Sequence, residues 1–278
     1  MLNHILVATD LAERSTVALR RAAALKQRLG SHLTVLHVLE HVAGSGQKSQ
    51  RQAIETLQEQ VSTIFGDDAR HLWLKVLEGP HDATIIAEAE VSGSDLIVLG
   101  DGRKPGWRER FVGTTTARVV RMSERPVLVA RTHDGPYRRL LCAFDGSPAA
   151  CRALGVSLQI ANQTQCLVLH ANQRGTLAEF APRKAGDALM ERKVQTMLTA
   201  LRATLQQVVP TPAEPEVRIV DGNVHFLARD CMREFNPDLV AVGTHSSSPG
   251  ATTLLGSFAC DLLVDTGCDV LIAPPAQV

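Results

Sequence analysis

The sequence has no run of about 18 apolar residues, so it encodes no membrane-spanning helix. Its first residues, Met1 to His4, lack the cationic stretch followed by an apolar one that a secretory signal needs. Neither sign of charge is in excess, since 29 Lys and Arg balance 29 Asp and Glu, which argues against a generally basic nucleic-acid-binding protein. We therefore expect a cytoplasmic protein of ordinary globular composition.

Cysteine is absent from the first half of the chain, before Cys142, and the six that occur are scattered without a Cys-x-x-Cys pair. This spacing argues against a disulfide framework or a zinc site, so we expect reduced and mostly buried thiols. The ten histidines include no His-x3-His pair, so no metal site is predicted, and His37 and His170 are assigned hydrogen-bonded structural roles.

Three motifs of catalysis or nucleotide binding are also missing. The sequence has no nucleophile elbow, no Gly-x-Gly-x-x-Gly dinucleotide turn and no Walker-type Gly-Lys-Ser/Thr. No catalytic residue is therefore predicted, and slow nucleotide hydrolysis is the most enzymatic activity that the sequence supports.

A basic segment interrupts this neutral composition. Residues 103–131 hold eight Lys or Arg and two acids, with Trp107 and Phe111 as their aromatic residues. Nucleic-acid patches interleave more aromatics with their cations, so a solvated or partner-facing surface is the favoured interpretation.

An internal repeat organises the chain. Ile5–Asp10 recurs as Leu140–Asp145, and Asp95–Gly100 recurs as Asp238–Gly243 at an offset that then stays constant to the last strand of each copy. We therefore predict two copies of one domain, at residues 1–131 and 137–278, joined by a linker at 132–136 that contains turn-forming Asp-Gly-Pro.

Each copy alternates short apolar runs with helical stretches. The runs are four to seven residues long and nearly continuous, which is typical of strands buried on both faces of a parallel sheet. In the first copy they are His4–Thr9, Leu33–Leu39, Leu72–Leu77, Leu96–Gly100 and Val127–Ala130. The pattern βαβαβαβαβ predicts an α/β fold with two tandem, open, doubly wound, five-stranded parallel sheets of Rossmann-like type.

Ligands of such sheets bind beyond the carboxyl ends of the strands. Two long loops leave these ends, Gly100–Thr114 and Gly243–Ser257, and each leads into a helix that starts with Gly-Thr or Gly-Ser. A helix start offers backbone N–H groups and a positive dipole end, and the hydroxyl adds a donor, so both loops suit a phosphate.

On these residues the chain resembles the universal stress protein family in its tandem two-domain form, over essentially its whole length. Nucleotide-binding members carry Gly-x2-Gly-x9-Gly-Ser/Thr after the fourth strand, as in the adenine nucleotide alpha hydrolase-like fold that the resemblance implies. The matching positions are Gly100, Arg103, Gly113 and Thr114 in the first copy and Gly243, Ser246, Gly256 and Ser257 in the second.

Both copies depart from the motif at its middle glycine. A side chain there costs about 1–2 kcal/mol where left-handed backbone is needed, which weakens nucleotide binding. Ser246 is the milder replacement, and Thr244-His245 matches the usual Gly-Thr-His of the family, whereas Asp101 beside Gly100 repels a phosphate. The second copy is therefore favoured, although Arg103 could itself reach the phosphate position.

The resemblance implies further contacts to the adenosine end of the ligand. They involve Thr9, Asp10 and Val38 in the first copy and Phe144, Asp145 and Ala171 in the second. Asp10 and Asp145 have an alternative role as caps of the following helix.

The predicted function is a stress-response protein that binds ATP, with Mg²⁺, or another adenine nucleotide in at least one domain. The alternative is a nucleotide-independent scaffold of the same fold that recruits an unknown protein partner. The resemblance also implies pairing of domains through their last strands, as an internal pseudo-dimer and as a homodimer.

Overall fold

The computed structural model describes residues 1–40, 46–102, 114–132, 135–172, 183–208, 212–244 and 255–276. The chain divides into two compact units, one of Met1–Pro136 with Leu263–Asp269 and the other of Tyr137–Leu262 with Val270–Val278. Within the described ranges, no helix combines the length and the apolar character needed to cross a membrane.

The first unit is built around a sheet of order β3-β2-β1-β4-β5, in which the strand pairs are parallel. Its strands are β1 (His4–Thr9), β2 (His32–Leu39), β3 (Trp73–Glu78), β4 (Leu96–Gly100) and β5 (Val127–Ala130). Its described helices are α1 (Thr16–Leu29), α2 (Gly46–Phe65), α3 (His81–Val91) and α4 (Thr115–Met122). Strand order reverses between β1 and β4, where an open α/β sheet forms its ligand crevice.

The second half of the chain repeats this topology in the order β10-β9-β6-β7-β8, with β6 parallel to both β7 and β9 and with β7 parallel to β8. Its strands are β6 (Arg139–Ala143), β7 (Gln165–Asn172), β8 (Glu216–Asp221), β9 (Leu239–Gly243) and β10 (Asp269–Ala273). Its described helices are α5 (Pro148–Ile160), α6 (Arg183–Gln207), α7 (Val224–Phe235) and α8 (Ser257–Asp265). The predicted α/β fold is confirmed, with the same order of five strands in both halves of the chain.

Local sequence explains where the first helix of each unit begins and ends. Helix α1 stops at Gly30, which donates its N–H to the Lys26 carbonyl at 2.9 Å and whose φ of +67° turns the chain out of the helix. Helix α5 starts after Ser147, whose hydroxyl accepts the Ala150 N–H at 3.2 Å, and Pro148 occupies the first turn. These residues set the end of α1 and the start of α5.

The strand predictions hold with small shifts at the ends. The third run, predicted at Leu72–Leu77, forms a strand at Trp73–Glu78, and the second begins at His32. The central strand residues Ile5, Leu6 and Val7 have no exposed surface, as expected for strands covered on both faces.

Candidate functional site

The carboxyl end of β1 carries Thr9 and Asp10, and both side chains are engaged within their own turn. The Thr9 hydroxyl lies 2.7 Å from the Ser15 hydroxyl and accepts the Leu11 N–H at 3.0 Å. Asp10 accepts from the Arg14 guanidinium at 2.6 Å. Asp10 also accepts the Ala12 N–H at 3.0 Å, but it does not cap α1, whose N-cap residue is Ser15.

Asp10 is ionised more readily than an ordinary aspartate. Partial burial raises the pKa of its carboxyl, but hydrogen bonds from Arg14 and from the Ala12 N–H together outweigh burial. The pKa of Asp10 therefore lies below its ordinary value. Because its charge is already paired with Arg14, this carboxylate is poorly placed to serve as an acceptor for a ligand hydroxyl.

The equivalent end of β6 has a different arrangement. Phe144 is buried, and its carbonyl lies 2.8 Å from His170 Nδ1. Asp145 is half-buried, and its Oδ1 accepts the Ser147 N–H at 2.9 Å. Among the described residues, no cationic side chain forms an ion pair with Asp145.

The two matching histidines have the structural role that the sequence predicted. His37 Nδ1 lies 2.9 Å from the Thr9 carbonyl, as His170 Nδ1 does from the Phe144 carbonyl. Val38 and Ala171 follow these histidines on β2 and β7, so the strand register brings them next to the ends of β1 and β6.

The first glycine of each loop differs in its surroundings. A β-carbon on Gly243 would lie 2.8 Å from both Ala149 Cβ and the Ala150 nitrogen, at the start of α5. A β-carbon on Gly100 would meet no atom of the described residues within 4 Å. Gly243 is therefore required by close helix–strand packing, whereas space beside Gly100 is open in the described part of the chain.

Helix α4 begins with a hydroxyl that caps the helix. Thr114 accepts the Ala117 N–H at 3.2 Å, and Thr116 donates to the Gly100 carbonyl at 2.8 Å, which ties the helix start to the end of β4. The predicted site residues Arg103 and Gly113 lie outside the described residues.

Helix α8 begins with a hydroxyl that faces another side chain. The Gly256 N–H donates to the Thr244 carbonyl at 2.9 Å, and the Gly256 carbonyl accepts the Cys260 N–H at 3.0 Å. The Ser257 hydroxyl lies 3.4 Å from His225 Nε2. The predicted site residue Ser246 lies outside the described residues.

Two carboxylates border the candidate phosphate position of the first unit. Asp82 lies in the first turn of α3 and binds Arg118 at 2.6 Å, while Asp101 follows Gly100 and lies 3.7 Å from Arg131 Nε. At the constant offset of the repeat, the equivalents of Asp82 and Asp101 are His225 and Thr244. The second unit therefore replaces both acids with uncharged or basic side chains.

The family model described as "Universal stress protein family" matches residues 1–131 and 136–274. The chain belongs to the universal stress protein family. The two matches confirm the tandem arrangement expected from the internal repeat.

Individual universal stress proteins resemble either about half of this chain or nearly all of it. Universal stress protein MJ0577 of Methanocaldococcus jannaschii is 24% identical over 156 residues, which span 47% of this chain and 96% of that protein. A universal stress protein from Archaeoglobus fulgidus has the same fold, with a TM-score of 0.69 and 19% identity over 99% of this chain and 97% of its own. A universal stress protein solved in complex with cAMP covers 48% of this chain and 98% of its own, with 18% identity and a TM-score of 0.35.

In this universal stress protein, the described residues of the predicted site lie at the carboxyl ends of the strands in each unit. The edge also includes side chains that sequence reasoning missed, namely Asp82 with Arg118 and His225 with Asp261. The constant offset of the repeat was the available signal, because it relates Asp82 to His225 and Arg118 to Asp261. No group of three His, Cys, Asp or Glu side chains suited to a metal ion occurs among the described residues.

Proposed function

We propose that this universal stress protein binds an adenine nucleotide, ATP with Mg²⁺ or a related nucleotide, in its second unit as a sensing event. The observation that carries the proposal is the charge at the phosphate end. Where Asp82 and Asp101 stand in the first unit, the second has His225 and Thr244, and the carboxylate of Asp261, at the position of Arg118, is bound to His225 Nδ1. A carboxylate close to a bound phosphate repels it, because both groups carry negative charge.

The start of α8 supports the same unit. Ser257 is exposed and is the first residue of the helix, where N–H groups and the dipole favour an anion. Thr114 instead uses its hydroxyl oxygen to accept the Ala117 N–H. Thr114 therefore serves as the cap of α4, whereas Ser257 is the exposed first residue of its helix.

The adenosine end favours the second unit for a separate reason. Asp145 accepts one backbone N–H, from Ser147, and its remaining acceptor positions suit a ribose hydroxyl. Asp10 is held in an ion pair with Arg14, which a ribose would have to displace.

Isothermal titration calorimetry with ATP and Mg²⁺ tests the proposal on the full chain. We expect Ser257→Ala to weaken binding about tenfold or more, because a hydrogen bond to a charged group contributes about 1.5–3 kcal/mol. Thr114→Ala is the matched control, since it removes the hydroxyl at the equivalent position and should leave the affinity unchanged.

Two results would contradict the proposal. No heat of binding at millimolar nucleotide, together with no nucleotide released from the denatured protein, would favour the scaffold alternative. Weaker binding in Thr114→Ala but not in Ser257→Ala would assign the nucleotide to the first unit. The cytoplasmic location, the protein partner and a dimeric assembly stay predictions from the sequence.

A further inference from the structure

Three side chains of the second unit form a hydrogen-bonded row at the starts of α7 and α8. The Ser257 hydroxyl lies 3.4 Å from His225 Nε2, and His225 Nδ1 lies 2.6 Å from Asp261 Oδ2. With the Nδ1 proton donated to the carboxylate, Nε2 presents its lone pair to the hydroxyl. Hydroxyl, imidazole and carboxylate therefore stand in the order of a nucleophile, a general base and the group that orients the base.

The fold holds each member of this row in place. Asn223 caps α7 and accepts the His225 N–H at 2.9 Å, which fixes the backbone of the histidine. The Phe258 ring contacts the imidazole edge to face, with centroids 5.5 Å apart and planes at 82°. Ser257 and Asp261 are four residues apart on α8, so one helix face carries both ends of the row.

The same helix start supplies the third requirement of acyl transfer, which is stabilisation of negative charge. The first helical hydrogen bond of α8 runs from the Cys260 N–H to the Gly256 carbonyl. The N–H groups of the first turn precede it and have no carbonyl acceptor within the helix. An oxyanion formed beside Ser257 lies at this positive end of the helix.

The row is open to a small substrate. Ser257 is exposed, and 28% of the His225 side chain is accessible to solvent. A planar ester carbonyl can reach the Ser257 oxygen from solvent, whereas the partly covered imidazole stays within reach of that oxygen. This openness suits small esters with good leaving groups.

We propose that Ser257, His225 and Asp261 form an acyl-transfer centre that hydrolyses small activated carboxylic esters. The Ser257 oxygen attacks the carbonyl carbon while its proton passes to His225 Nε2. The bond from the carbonyl carbon to the alcohol oxygen then breaks, and His225 returns the proton to the leaving alcohol. Water deacylates Ser257 by the same proton transfers in reverse order, which releases the carboxylic acid. Asp261 acts as a positioning residue through the imidazole.

The first unit provides an internal control for this proposal. At the constant offset of the repeat it has Thr114, Asp82 and Arg118. Asp82 is bound to Arg118 at 2.6 Å, so a carboxylate and a guanidinium stand where the second unit has an imidazole and a carboxylate. The equivalent positions therefore share a fold but lack an imidazole at the position of His225.

A serine-directed fluorophosphonate, followed by peptide mass spectrometry, tests the nucleophile in the intact chain. We expect one label per chain, on Ser257, and none on Thr114. His225→Gln should slow labelling by about 100-fold or more, because general-base catalysis contributes about 10²–10⁴-fold. Labelling of Ser257 no faster than that of Thr114, or unaffected by His225→Gln, would overturn the proposal.

Hydrolysis of p-nitrophenyl acetate tests the complete centre. Ser257→Ala should lower the enzymatic rate to that of the uncatalysed reaction, and Asp261→Asn should lower kcat at least tenfold with KM unchanged, while Asp261→Glu recovers part of kcat. Thermal melts of each variant confirm that it is folded. Hydrolysis retained in Ser257→Ala would overturn the centre, and an unchanged kcat in Asp261→Asn would overturn the role of Asp261. Neither fluorophosphonate labelling nor ester hydrolysis uses a nucleotide, so both tests are separate from the titration of the proposed nucleotide site.

Discussion

Replacing Gly243 by alanine should destabilise the second unit, because the new β-carbon has no room. It would lie 2.8 Å from Ala149 Cβ and 2.8 Å from the Ala150 nitrogen, and the Ala149 carbonyl carbon is 2.9 Å away. Two of these three atoms belong to the backbone of the first turn of α5, so a side-chain rotation cannot relieve the contact. Strand β9 and helix α5 must separate instead.

The size of the effect follows from overpacking. Inserting a methyl group into a closely packed interior costs about 1–3 kcal/mol. At about 2–4 °C per kcal/mol for a chain segment of this size, a cost near 2 kcal/mol lowers the Tm of the affected unit by about 4–8 °C. Differential scanning calorimetry is the suitable assay because it separates the transitions of two units that unfold independently.

Gly100→Ala is the matched control at the equivalent position of the first unit. No atom of the described residues lies within 4 Å of its new β-carbon, so stability should stay the same or rise by about 0.4–1 kcal/mol as alanine restricts the unfolded chain. Adding Ala149→Gly to Gly243→Ala should restore part of the loss, since it removes one of the contacting atoms. Equal Tm values for Gly243→Ala and the wild type, or equal losses in both glycine variants, would refute the packing explanation.

Two further predictions concern titratable groups. Burial raises the pKa of the Cys166 thiol to about 12. Burial, with smaller contributions from neighbouring thiols and Asp145, also raises the pKa of the Cys142 thiol well above its ordinary value. Iodoacetamide at pH 8 should therefore modify both thiols only after denaturation. Mass spectrometry of peptides from the native protein would contradict this if either thiol were alkylated at the rate of a free cysteine. Because folding lowers the pKa of Asp10, its contribution to stability is present above pH 3.8 and is lost as pH falls through the lower folded value. Urea unfolding should therefore show Asp10→Asn to have a lower free energy of unfolding than the wild type at pH 7, and this difference should shrink on acidification. A difference that stayed constant with pH would mean that the pair with Arg14 contributes nothing.

The fold could be predicted because its signals are local and repeated. Strands such as β1 (His4–Thr9) are nearly continuous apolar runs, and Gly30 marks the end of α1 with the positive φ that glycine adopts easily. The repeat, visible in pairs such as Asp95–Gly100 and Asp238–Gly243, then predicted two copies of one topology without any knowledge of contacts.

The site could be predicted only in part, because its main contacts join distant positions. His225 and Asp261 are 36 residues apart and meet at 2.6 Å only when α7 and α8 both begin at the same edge of the sheet. Residue type also fails to reveal why a glycine is needed. Gly100 and Gly243 are equivalent in sequence, yet of the two only Gly243 has atoms of the described structure within 4 Å of an added β-carbon.

Some positions of the repeat are kept because the fold uses them. Asp95 accepts the N–H groups of Asn3 and His4, at 2.7 and 3.0 Å, where the chain enters β1. Asp238 accepts the N–H groups of Arg138 and Arg139, at 2.7 and 3.0 Å, where the chain enters β6. These contacts lie at the amino ends of the strands, away from the candidate site, so their identity in both units reflects strand pairing.

At the carboxyl ends of the strands, one pair of equivalent positions differs between the two units. Asp82 contacts Arg118 at 2.6 Å, and His225 contacts Asp261 at the same 2.6 Å, so a polar contact between two helix starts is present in both units. The acid has changed sides: it stands on α3 in the first unit and on α8 in the second. Either pair, Asp82 with Arg118 or His225 with Asp261, would join the two helices equally well. The order of acid and base therefore affects the chemistry of the site rather than the packing of the helices. In the second unit, an imidazole stands at the position of Asp82 and lies between Ser257 and Asp261, which places a base next to the hydroxyl. Both proposed activities therefore depend on this one exchange.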